Sequence, residues 1–249
     1  MTTITTIDAV IKKLDEIISD ARQTNSRQGY FAALYRRMTI AVQQGINENR
    51  FKDAARMEML DVIFAKRYLD AYENYRNKLP VTSGWKTAFD ACNNNNLTVL
   101  QHLILGVNTH INLDLSIAAA ETAPGEKVLD MQYDYEQIND IIASLTGEVQ
   151  DKLTKVWWPL RLLRNIANNK QDAVINFSIT AARKAAWANA IALANETDGQ
   201  KNNHIHTIDQ TVTGLANGII DPGFFVNMLL KAVRFFENKD IGKNITLIS

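Results

Sequence analysis

A chain of 249 residues, 46% of them hydrophobic, is long enough to bury a sizeable core without disulfides or structural metals. Lysine plus arginine equals aspartate plus glutamate at 27 each, so no global field draws in nucleic acid or an anionic membrane, and neither is expected as a partner. The one cysteine, Cys92, can form no internal bridge and lacks activating basic neighbours, which suits a small core residue in a reducing, cytoplasmic setting.

No run approaches the roughly 18 consecutive apolar residues of a membrane span, and the opening MTTITTIDAVIKKLDEIISDA has lysines inside an amphipathic repeat where a leader would be apolar. Ile7, Val10, Leu14, Ile17 and Ala21 recur at helical spacing, predicting a helix over about 6 to 24, with Thr5 and Asp8 spaced as a capping box. Phe31, Leu34, Tyr35, Met38 and Val42 predict a second helix, and Met57, Leu60, Phe64, Tyr68 and Tyr75 a third. Pro80 closes the third, and Trp85 and Phe89 mark a short amphipathic piece before the polar NNNN turn at 93 to 96. The following segment, about 97 to 120, is apolar nearly all round, which predicts a central helix buried on most sides.

APGEK at 123 to 127 predicts a turn, followed by a long helix from Tyr135 to Val156 that Pro159 kinks or restarts. A further helix is predicted over about 171 to 195. The stretch NETDGQKNNHIH then predicts a loop, ended by a second capping box at Thr207 and Gln210 that opens a helix in which Gly214 and Gly218 permit close contact. Asp221 and Pro222 predict the start of a last helix whose Phe225, Leu229, Val233 and Phe236 face inward. Strand patterns are nearly absent, so the expected fold is all-α, a single compact bundle of eight or nine helices forming one domain over residues 1 to 249, around one central helix.

The four histidines fall in two clusters, His102 with His110 and His204 with His206. On the central helix the i, i+4 ridge runs His102, Gly106, His110, Asp114, and adjacent members have Cβ atoms about 5 to 6 Å apart. His110 and Asp114 can therefore serve as two ligands of a divalent transition metal, or the carboxylate can orient the imidazole. His102 lies about 12 Å along the axis from His110, so a shared ion needs help from other helices, such as Asp61 or an extended His204-x-His206 chelate. The alternative is a set of hydrogen-bonded core groups. Asn108, His110, Asn112 and Asp114 nevertheless load four polar groups into seven residues of apolar sequence, and burying them is costly. The pairs Arg36 and Arg37, Lys66 and Arg67, and Arg161 and Arg164 are candidate anion contacts that equally suit solvated edges or bundle salt bridges, and Trp157 with Trp158 suits core packing.

The run GVNTHINLDL, with Gly106, Asn108, His110, Ile111, Asn112, Asp114 and Leu115, resembles the signature of a bacterial family, domain-of-unknown-function family 5995. RMEMLDVIFAKRYLDAY at 56 to 72 and FAALYRRMTIAV at 31 to 42 extend the resemblance over the first half of the chain. It implies a helical fold and no assigned activity. A looser similarity, to the helical zinc-dependent phospholipase and nuclease group, rests on the spacing of His110 and Asp114, and Gly106 stands where that group has an aspartate. Two functions are thus expected. One is a metal-assisted hydrolase centred on His110 and Asp114, with Asp61 or His102 completing or orienting the site. The other is a non-catalytic helical module in which His102, Asn108, His110, Asn112, Asp114 and Asp61 bind a small molecule or a protein partner.

Overall fold

The structure is a computed structural model that describes residues 4–142 and 170–249. These form ten helices and, among the described residues, no strand. In chain order they are α1 (Ile7–Gln23), α2 (Gln28–Asn47), α3 (Ala54–Arg76), α4 (Ser83–Ala91), α5 (Val99–Thr122), α6 (132–142), α7 (Lys170–Asn195), α8 (Asp198–Ile220), α9 (Phe224–Phe236) and α10 (Ile241–Ile248). The second half of the helix expected from Tyr135 to Val156, together with Trp157, Trp158, Pro159, Arg161 and Arg164, lies outside the described residues.

α5 is the axis of the molecule. It is long and apolar enough to cross a membrane, but 78% of its most apolar stretch is buried inside the protein, against α2, α3, α4, α7 and α8. Its first half packs into a core with α1, α2, α3 and α4, and its second half into another with α3, α7 and α8. Alanines set the second contact: Ala118, Ala119 and Ala120 of α5 meet Ala186, Ala190 and Ala194 of α7, small residues that let two backbones approach closely.

Three helix starts are held by carboxylates remote in sequence. Glu237 accepts from the Val99 amide at the head of α5, Asp209 from the Ser83 and Gly84 amides at the head of α4, and Asp134 from Lys52 and Asp53 just before α3. The first two satisfy amide groups that a helix start leaves unpaired, with a charge that suits the local dipole, whereas Asp134 holds the turn leading into α3, which Asp53 caps by accepting from the Arg56 amide.

Several local expectations are corrected. α1 is capped one residue later than expected, by the Thr6 hydroxyl accepting from the Ala9 amide. The APGEK segment continues from Pro124 into a 3-10 helix, Gly125–Met131. The expected loop before Thr207 is helix from Asp198, because the capping box is Thr197 with Gln200, ten residues before the expected Thr207 and Gln210. Gly214 and Gly218 face open space. Asp221 ends α8 instead of capping α9, whose first turn follows Gly223 in a left-handed conformation (φ 94°) that glycine adopts freely. The apolar face of α9 is not turned inward: Phe225 is 76% and Leu229 63% exposed. Periodicity shows that a face is apolar but not which neighbour covers it.

Close contact is permitted instead by other glycines, among them Gly106 of α5. A Cβ there would lie 3.0 Å from Phe31 Cβ and closer still to its ring. Gly106→Ala is therefore expected to destabilise by about 1–3 kcal/mol, overpacking outweighing the better helix propensity of alanine, as read from chemical denaturation. Unchanged or raised stability would show that the Phe31 ring has room to move.

Candidate functional site

The polar stretch of α5 coincides with a single turn of π-helix, His110–Asp114, set between α-helical segments. Such a turn inserts one residue into the helical ladder and is frequent at functional sites. Here it holds the His110 Nδ1 atom 3.0 Å from Asp114 Oδ2. Both residues are buried, His110 at 3% and Asp114 at 1% exposure.

Asp114 is the hub of a network reaching two further helices. Its Oδ2 also accepts from the Trp85 Nε1–H of α4 at 2.8 Å, and its Oδ1 from the Arg67 Nε–H of α3 at 3.2 Å. Since an ionised carboxylate only accepts, the His110 Nδ1 carries the proton and Nε2 is left bare. Burial pushes the His110 pKa down, against the pull of Asp114, so the ring is neutral near pH 7. Phe64 stacks on it at 3.6 Å between centroids and Tyr35 meets it edge-on at 4.4 Å. Of the two arrangements left open by spacing, the side chains adopt the second: Asp114 orients His110, and its oxygens are engaged by protein donors. Among the described residues, no three His, Cys, Asp or Glu side chains gather at metal-binding distance.

His110 lines a cavity of about 570 Å³ bounded by α2, α3, α5, α6, α7 and α8. Its wall is largely aliphatic and aromatic, with Leu34, Met38, Leu60, Leu103 and Ile141 among the residues that form it. Asp61, Asn108 and Asn112 line the same space, whereas Asp114 stands behind His110 and His102 lies outside the lining. Asn108 donates to the Val212 carbonyl of α8, and Asn112 donates to the Asn108 side-chain oxygen, so this pair ties α5 to α8. Two buried polar atoms on the cavity wall, His110 Nε2 and Asp61 Oδ2, have no hydrogen-bond partner among the described residues, and the Tyr35 hydroxyl lies buried on the same wall. Burial, with a smaller contribution from Glu58, raises Asp61 to a pKa of about 7.

The Phe31 ring resting on Gly106 fills the gap between the two histidines of the ridge. His102 accordingly sits beside Tyr30, and burial, Arg27 and Arg234 lower its pKa to about 3. His204 and His206 do not join either. Two residues apart on helix α8, they point to different sides, His204 to Glu196 at 3.0 Å and His206 to Gln210 at 2.9 Å. The extended chelate is thus replaced by two separate helical contacts.

In the sequence Arg67 reads as an edge cation or a bundle salt bridge, Trp85, Tyr35 and Phe64 read as members of apolar helical faces, and none of them is marked as part of a site. Arg183, which also lines the cavity, carried a legible signal: it falls on the same helical stripe as Ala186, Ala190 and Leu193, all buried.

These features define an all-α protein whose central helix carries an Asp–His pair at the wall of a mainly apolar cavity. The chain belongs to the family of unknown function DUF5995, whose model matches residues 7–222. Comparison with curated proteins finds no match, and comparison with solved structures finds none either.

Proposed function

We propose that the protein is a binding module for a predominantly apolar small molecule, held in the cavity with a polar group near His110. The observation that carries this reading is the pair of buried atoms with no partner among the described residues, His110 Nε2 and Asp61 Oδ2, on one mainly apolar wall. Buried polar atoms in folded proteins nearly always have partners, and a ligand hydroxyl or amide would supply them here. A volume of about 570 Å³ lies within the ordinary range of small-molecule sites.

N-Phenyl-1-naphthylamine, a neutral apolar fluorophore, is expected to bind with increased emission at one site per chain. Val107→Phe, which adds volume at the cavity wall, should weaken that binding about tenfold or more while leaving the thermal melt cooperative. No binding, or binding indifferent to Val107→Phe, would overturn the reading.

A second reading, an enzyme, is favoured by the Asp114–His110 bond. A neutral imidazole oriented by a carboxylate is suited to take a proton from water or to ligate a divalent transition metal through Nε2, with Asp61 as a further candidate on the same wall. Stoichiometric metal in the purified protein by elemental analysis, absent from His110→Gln, would favour this hydrolase over the binding module.

A further inference from the structure

Resting on the binding reading, the geometry points to the chemical class of the ligand: we propose that the cavity takes an amphipathic monoanion, an aliphatic chain ending in a carboxylate that pairs with Arg183.

Arg183 enters the cavity wall from α7 at only 4% exposure. Among the described residues its guanidinium is held by neutral groups alone. Nε donates to Asn139 Oδ1 at 2.7 Å, Nη2 donates to the Tyr135 carbonyl at 2.6 Å, and the plane lies over the Tyr135 ring at 4.4 Å. The Tyr135 hydroxyl in turn donates to the Arg183 carbonyl, locking α6 to α7. Among the described residues no carboxylate lies within ion-pair distance of Arg183. Arginine keeps its charge in proteins, and a buried cation without a counter-ion is expensive. Fixed orientation, burial and missing counter-charge together are the properties of an anion subsite.

Asp61, the other ionisable acid on the wall, is not that counter-ion. Its carboxyl is raised by burial and by Glu58, with no opposing pull from Arg183, and Arg183 is lowered by burial with an opposing contribution from Tyr135 alone. The cavity wall therefore carries a cation at Arg183 and hydrogen-bonding groups at His110, Tyr35 and Asp61, and the rest of its lining is mainly aliphatic and aromatic. A ligand with its anionic head at Arg183 lays its chain along that apolar lining, where removal of apolar surface from water supplies the drive.

The test compares two ligands with one chain and different heads, dodecanoate and dodecanol, each displacing N-phenyl-1-naphthylamine from the unmodified protein at mildly alkaline pH. Dodecanoate is expected to displace the fluorophore at a concentration about tenfold lower or less, the margin of a charge-assisted pair over a neutral contact. Arg183→Gln should remove that margin and leave dodecanol unchanged, and Arg183→Lys should keep part of it. The comparison in the unmodified protein holds even where Arg183→Gln fails to fold. Equal displacement by the two, preference for dodecanol, or displacement by neither while the fluorophore binds would overturn this inference and leave the binding reading standing. Failure of the fluorophore itself to bind would overturn both.

Discussion

Asp114→Asn is expected to lower the free energy of unfolding by about 3 kcal/mol, more than any other single polar replacement in the core, because three donors converge on one carboxylate. Arg67 Nε, Trp85 Nε1 and His110 Nδ1 lie at 3.2, 2.8 and 3.0 Å from its oxygens. An amide has one oxygen to offer and sets an NH₂ group against at least one N–H donor, whichever way it is turned. Arg67 also loses its buried counter-charge and, among the described residues, keeps Glu121 at 3.7 Å as its one ion-pair partner. Because the three partners come from α3, α4 and α5, the loss is felt across the junction of those helices. A denaturation midpoint that falls with an unchanged denaturant slope would show a stability loss of this kind. A loss below about 1 kcal/mol would mean that the network contributes little to the fold and that Asp114 is retained for what it does to His110.

Asp61→Asn is expected to act in the opposite direction, and only above mildly acidic pH. The Asp61 carboxyl is raised from its ordinary 3.8 to about 7, chiefly by burial. The folded state thus holds this proton more tightly than the unfolded chain does. The stabilisation from that proton is complete below about pH 3.8 and is lost as pH rises through about 7, where the native protein must carry a buried, partnerless carboxylate. The parent should therefore lose about 2–4 kcal/mol, relative to Asp61→Asn, between pH 4 and pH 8. Melts of both proteins across that range measure the change of the gap with pH, which is independent of any constant offset from placing an amide in the cavity. A gap that does not vary with pH would remove Asp61 from the set of titrating groups. The same shift places a carboxyl on the cavity wall that exchanges donor for acceptor near neutrality, so ligand affinity should follow the same range.

The loss arises from α5, which carries Asp114, and the gain from Asp61 of α3, which faces the same cavity wall as His110. Four polar residues in an apolar helix were conspicuous in the sequence because burial without partners is unfavourable, and the resemblance carried by residues 106 to 115 marked the same stretch. Their partners were not conspicuous. Arg67 and Trp85 reach Asp114 from 47 and 29 residues away, and Arg183 reaches Asn139 from 44. Nothing local to α5 announces those meetings, and the π turn that sets the His110–Asp114 geometry has no reliable signature of its own.

What the sequence by itself determined is what depends on neighbours along the chain: the helical period of most of the described helices, though not of the first turns of α8 or of α10, the central position of an all-round apolar helix, and the separation of His102 from His110 along its axis. The tertiary structure alone decided which faces are covered. α9 has as clear an apolar face as α1, yet α1 is buried against α2 and α3 while Phe225 and Leu229 of α9 stand exposed. Hydrophobic periodicity measures how much surface a helix has to bury, and that quantity is local. Whether the surface is buried, and whether a polar atom within it meets a partner or an empty cavity, depends on residues brought near only by folding.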